Sequence, residues 1–174
     1  GKVAQKLVGI FTVDQRHIRI WALRVLSNLG EDSVEVISNL LSLKDSFKRD
    51  RDTNILEDES WYKVRNGLYV LGNIESQRSF DLLLRFTKDP DPRVRLEVLK
   101  VLEKKRGEKV NRVLIELFKD SEEEVRKKAL NLINISGEKE FIPILKELFF
   151  NGFVERGKLL STLVKIGERE CKDF

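Results

Sequence analysis

The sequence predicts an all-α fold, a solenoid of stacked helical hairpins in about five repeats. Three observations carry this. The stretch "KDPDPRVRLEVLKVL" at 88–102 returns as "KDSEEEVRKKALNLI" at 119–133, and a phrase recurring at a fixed period marks stacked units rather than one globular core. Apolar residues fall 0, 4, 5 and 8 positions from each Val-Arg marker, which is one stripe of a helix with 3.6 residues per turn. Only three Pro and ten Gly occur in 174 residues, little punctuation for many short strands.

The markers Ile18-Arg19, Val64-Arg65, Val94-Arg95 and Val125-Arg126 each begin a first helix, and Glu155-Arg156 begins a fifth that lacks the Val. Their spacings are 46, 30, 31 and 30 residues. In chain order, "KVAQKLVGIFT" (2–12) reads as a second helix without its first. Ile18, Ala22, Leu23 and Leu26 then form an apolar stripe that stops at Gly30, a residue suited to a left-handed cap. "SVEVISNLLS" is the partner of that helix. Val64, Leu68, Tyr69 and Gly72 form the next stripe, paired with "RSFDLLLRFTK".

Asp91 is expected to cap the third first helix, with Pro92 in the first turn where a missing N–H costs nothing. Its stripe is Val94, Val98, Leu99 and Leu102, and its partner is "EKVNRVLIELFK". In "SEEE", Ser121 is expected to accept from the Glu124 amide while Glu124 reaches back. Val125, Ala129, Leu130 and Ile133 follow, with a stop at Gly137 and the partner "KEFIPILKELFF". Leu159, Leu160 and Leu163, ending at Gly167, complete the series. Second segments of about ten residues are too short to stand alone, so stacking must supply their stability and build a curved rod.

The pattern Asp-Pro-x-Pro-x-Val-Arg followed by a Leu-rich second helix resembles HEAT repeats, especially the short, phycobilin-lyase-like variety, over 14–170 and most closely over 88–150. The resemblance implies a right-handed α-solenoid, an alpha-alpha superhelix, whose Val-Arg helices line the concave surface. It also implies a ladder of Asp and Arg side chains from successive units. The matching residues are Asp89 or Asp91 with Arg95, and Asp120 with Arg126. About activity the motif is silent.

With 41% hydrophobic and 36% charged residues, the chain reads as one folded, soluble repeat domain spanning 1–174. A single Cys171 cannot form an internal disulfide, which favours a reducing, cytoplasmic setting. No Met occurs, Gly1 reads as a cloning remnant, and both ends read as cut within a longer array whose apolar edges would self-associate. The formal charge is +4, and residues 1–24 carry all of that excess through Lys2, Lys6, Arg16, Arg19 and Arg24 against Asp14.

Six positions after each marker, the column Arg24, Val70, Lys100, Asn131 and Ser161 should point away from the core, with Trp21, Lys128 and Lys158 at its edge. If these helices line the groove, Trp21, Arg24, Lys100, Lys128, Asn131 and Lys158 are the candidate partner contacts. Trp21 is the best anchor, against packing at the core rim. The long spacing leaves a polar insertion at 43–58, either a tolerated loop or a contact loop anchored by Phe47. Trp61 is expected to close the core beneath it. "EKKRGEKVNR" (103–112) reads as a solvated turn, or as a contact for an acidic partner or nucleic-acid backbone.

Lone His17 lacks a second ligand, Cys171 lies in the opposite end unit, and no Gly-rich phosphate loop is present. The chain therefore reads as no enzyme, with no catalytic residue, metal or cofactor. Its expected role is a scaffold that binds another protein through the groove and insertion loop. Two alternatives stand beside it. One is a nucleic-acid-binding module that uses the basic first repeat; the other, from the resemblance alone, is a lyase-like chaperone of a tetrapyrrole protein.

Overall fold

The computed structural model describes residues 2–42, 47–151 and 156–172, with side chains through Gly167. Apart from one isolated antiparallel bridge, Arg49 to Leu56, the regular elements of the described residues are helices: α1 (Lys2–Val8), α2 (Arg16–Asn28), α3 (Glu31–Ser42), α4 (Asp58–Asn73), α5 (Gln77–Leu84), α6 (Pro92–Leu102), α7 (Glu108–Phe118), α8 (Glu123–Ser136), α9 (Phe141–Phe150) and α10 (Arg156–Lys172). The fold is all-α, as the repeat predicts. Two compact units divide the chain, Gly1–Leu102 with α1 to α6 and Glu103–Phe174 with α7 to α10.

In the first unit the marker helices α2, α4 and α6 lie side by side, and α1, α3 and α5 pack beneath them. Leu26, Ile37, Leu41, Leu68, Leu71, Leu83, Phe86 and Leu99 are fully buried between the layers. Each such side chain contributes roughly 1.5–3 kcal/mol relative to exposure. Serines at the start of the second helices tie the layers together. Ser33 Oγ donates to the Leu26 carbonyl at 2.6 Å and Ser79 Oγ to the Leu71 carbonyl at 2.7 Å, satisfying acceptors that the last turn of a helix leaves open.

Helix α4 departs from the predicted phase. It touches α2, α3, α5 and α6, so only a narrow stripe of it meets water. Val70, expected to point outward, is 0% exposed, whereas Tyr69, expected on the apolar stripe, is 48% exposed. Gly72 does fit its place: a Cβ there would stand 2.5 Å from Val101 Cγ1, so α4 and α6 approach as closely as they do because no side chain intervenes.

In the second unit α8 packs against α7 and α10, and α9 against α10 and α7. Val125, Ala129, Ile133, Phe141, Leu145 and Leu159 form the core, while Leu160, predicted to join them, is 50% exposed. Gly137 takes φ 64° and ends α8 as expected. At Gly167 the expected stop is absent, and α10 runs on to Lys172. The difference is tertiary, since the chain must turn at Gly137 for α9 to pack on α7 and α10.

Caps follow the same division. Asp91 Oδ1 accepts from the Arg93 amide at 2.9 Å and Pro92 opens α6 as predicted. For α8 the expected Ser121 cap is absent: Glu122 stands at the N-cap with no side-chain cap hydrogen bond, and Asp120 Oδ1 accepts from the Glu122 amide at 2.9 Å in the turn before the helix. That helix begins at Glu123, which puts Ser121 one position too early to cap it.

Within the insertion, residues 43–46 lie outside the described residues. The remainder is a tight hairpin and not a loose loop: Arg49 bridges Leu56, the Asp50 amide donates to the Ile55 carbonyl at 2.8 Å, and the Glu57 amide to the Lys48 carbonyl at 3.0 Å. Asn54 turns the chain at φ 59°, and Asp50 Oδ1 accepts from the Thr53 amide and hydroxyl at 2.8 and 2.7 Å. Phe47 and Leu56 are 9% and 2% exposed. The expected apolar anchor therefore packs inward, because a hairpin this short needs a buried face to be stable.

Candidate partner-binding face

What positions the first helices is their marker arginine. Arg95 Nη1 donates to the carbonyls of Asp89 (2.6 Å) and Pro90 (3.1 Å), and Arg126 Nη1 to those of Asp120 (2.8 Å) and Ser121 (2.7 Å). Arg19 likewise reaches the Val13 carbonyl. Three times, a guanidinium grips carbonyls of the connection leading into its own helix, five or six residues back. The planar fork of Arg suits this task and the single ammonium of Lys does not. Arg65 cannot repeat it, because α4 starts at Asp58 and the carbonyl six residues back already lies in the helix. Its guanidinium lies instead over the Tyr62 ring, 5.2 Å from the centroid.

Of the residues matched to the Asp/Arg ladder, the carboxylates of Asp89 and Asp91 both turn to the insertion. Asp89 meets Arg49 and Asp91 accepts from the Leu56 amide. Arg93 joins this clasp, donating to Asp91 and to the Leu56 carbonyl, with its guanidinium 4.8 Å from the Trp61 ring centre. Trp61, half-buried, thus lies beside the hairpin.

The solvent face of the marker helices holds most of the sequence-predicted contacts. On α2, Arg16, His17, Ile20, Trp21 and Arg24 are exposed, and at 100° per residue they share an arc of about 140°. Trp21 is 57% and Ile20 40% exposed. The open stripe of α4 holds Tyr62, Arg65 and Tyr69. The first unit thus brings Trp21, Arg24 and two unpredicted tyrosines to neighbouring helices. Tyr69 was hidden from a sequence reading by its place on the expected core stripe.

Lys100 and Lys128 are each paired. Lys100 Nζ meets Glu97 at 2.7 Å and Lys128 Nζ meets Glu103 at 2.9 Å, and the Lys128 ammonium holds the Glu103 carboxyl below its ordinary range. Lys127 Nζ pairs with Glu123 at 2.9 Å and Glu124 at 3.0 Å, which lowers the Glu123 carboxyl and raises the lysine. In the second unit Asn131 and Lys158 line a cleft of about 420 Å³ between α8 and α10 with Lys127, Leu130, Asn134 and Ser161. Asn134 Oδ1 is buried at its edge without a hydrogen-bond donor.

No cluster of three or more His, Cys, Asp or Glu able to hold a metal occurs among the described residues, and none of their helices is long and apolar enough to cross a membrane. The Cys171 side chain lies outside the described residues. No curated protein matches the chain. A family model for HEAT repeats matches residues 50–114, which cover most of the insertion hairpin, α4, α5, α6 and the first part of α7. The helical hairpins of residues 50–114 belong to the HEAT-repeat family.

Proposed function

We propose that the chain is a non-catalytic scaffold that binds a partner protein on the solvent face of its marker helices. The observation that carries this reading is Trp21, an indole left 57% exposed on a helix whose other side is fully packed. Large aromatics dominate binding energy at protein interfaces, and helical repeats present such faces as extended binding surfaces. The HEAT repeats of the matched segment support the same reading. The insertion contributes its exposed turn, residues 51–54, and not Phe47.

A pull-down with the full chain and with Trp21→Ala, at low and high salt and with a nuclease-treated control, tests this. The scaffold reading expects nuclease-resistant capture of a protein that Trp21→Ala abolishes while stability changes by less than about 0.5 kcal/mol. Capture that survives the substitution while stability falls would make Trp21 a core residue. Salt-sensitive capture lost after nuclease would replace the protein partner with nucleic acid.

A further inference from the structure

Helices α4, α6 and α8 treat their exposed lysines differently from the way α2 treats its arginines. On α4, Lys63 Nζ pairs with Glu59 at 2.5 Å; on α6, Lys100 pairs with Glu97 at 2.7 Å; on α8, Lys127 pairs with Glu123 and Glu124 at 2.9 and 3.0 Å. Each of these lysines is neutralised by a carboxylate of its own helix, whereas Arg65 on α4 lies over the Tyr62 ring. Helix α2, "RHIRIWALRVLSN", holds three Arg and one His and no carboxylate. Arg19 is engaged by the Val13 carbonyl. Arg16 and Arg24 have no carboxylate partner among the described residues.

This arrangement works against the helix that bears it. Arg16 opens the helix, whose first turn holds no acidic residue, at the end where the helix dipole disfavours positive charge. Local rules broken without a gain in packing are expected at functional positions. On the same arc Ile20 lies between the two arginines and Trp21 at the edge, and Tyr69 is exposed on the adjoining α4.

We propose that the α2–α4 face of the first unit takes an acidic peptide segment with interspersed apolar side chains. Its carboxylates meet Arg16 and Arg24, and its apolar groups pack on Ile20, Trp21 and Tyr69. This rests on the reading of the marker-helix face as the partner surface. Charge complementarity selects the segment's sign, and the exposed aromatic and aliphatic groups select its apolar content. A nucleic-acid backbone fits less well: a phosphate track needs cations that continue onto the next helices, and within this unit Lys63 and Lys100 are already neutralised while Arg65 is engaged by the Tyr62 ring and the Asn66 side chain.

The test is a calorimetric titration of the full chain with a synthetic peptide of alternating Glu-Glu and Leu-Leu pairs, followed in parallel by tryptophan emission. Comparison titrants are the peptide with Lys for Glu, the peptide with Ser for Leu, and oligothymidylate. The expected result is saturable binding of the Glu-Leu peptide with a blue shift in emission, weakened about tenfold or more in either altered peptide and in Arg16→Glu/Arg24→Glu. Arg16→Gln/Arg24→Gln, which removes charge without reversing it, should fall between, and thermal unfolding of both variants should match the parent. Tighter binding of oligothymidylate would overturn the proposal. So would self-association of the chain that Trp21→Ala abolishes, which would make a second copy the occupant. Absence of peptide binding, with protein capture still lost in Trp21→Ala, would remove the acidic class and leave the partner face standing.

Discussion

Arg49 donates from Nη2 to both carboxylate oxygens of Asp89, each at 3.0 Å, across forty positions of sequence. The Asp89 side chain is 2% exposed and that of Arg49 18%. Beside them Asp91 Oδ2 accepts from the Leu56 amide at 2.9 Å. Two aspartates of a single "DPDP" loop thereby clasp both strands of the insertion hairpin. A break in the repeat period is in this way made part of the first unit's core.

Asp89→Ala should leave the Arg49 guanidinium shielded from water and unpaired, at a cost of roughly 2–4 kcal/mol. Urea unfolding measures it. Adding Arg49→Ala should recover part of the loss, since the pair costs most when only one partner is removed. A change below about 0.5 kcal/mol in the single variant, the level of a bare surface substitution, would mean that the clasp does not hold the hairpin.

The clasp should also respond to acid. Burial is the largest influence on the Asp91 carboxyl and pushes it up, but the Arg93 guanidinium and the Leu56 and Arg93 amides together hold it below its ordinary value of 3.8. A carboxylate depressed in the folded state stabilises fully above its unfolded pKa and loses that contribution as pH falls through the folded value. Stability should therefore be flat in this respect near neutrality and decline below about pH 4. Asp91→Asn should remove that part of the decline, read from unfolding midpoints between acid and neutral pH.

Gly72→Ala replaces a poor helix former with the best one, yet it should destabilise. The new Cβ would lie 2.5 and 2.8 Å from the two methyls of Val101, and a β-branched side chain has little rotamer freedom to yield. Overpacking of this kind costs about 1–3 kcal/mol. Gly72→Ala/Val101→Ala should be more stable than Gly72→Ala alone, as thermal unfolding of the three proteins would show.

Two glycines at the same repeat position should respond with opposite signs. Gly137 holds φ 64° at the end of α8, so Gly137→Ala should destabilise by about 1 kcal/mol through left-handed strain. Gly167 lies inside α10, and a methyl group added there would have no neighbour within 4 Å. Gly167→Ala should therefore stabilise by about 0.5–1 kcal/mol. Equal signs in thermal unfolding would contradict the different ends of these helices.

The sequence by itself determined the helical hairpin and its period, because burial of one stripe per helix writes Val64, Val94 and Val125 at near-equal spacing and each lands in the core. It also determined the Asp91–Pro92 start of α6, a matter of local hydrogen bonding within a few residues. Trp21 and Arg24 were legible as exposed because α2 keeps a wide solvent arc. Only the tertiary structure decided the fate of Val70 and Tyr69, since α4 has neighbours on four sides and its open stripe depends on where they sit. It alone decided that Phe47 turns inward and that Asp89 finds Arg49, because a polar insertion carries no period, and which buried carboxylate can receive it depends on contacts forty residues apart.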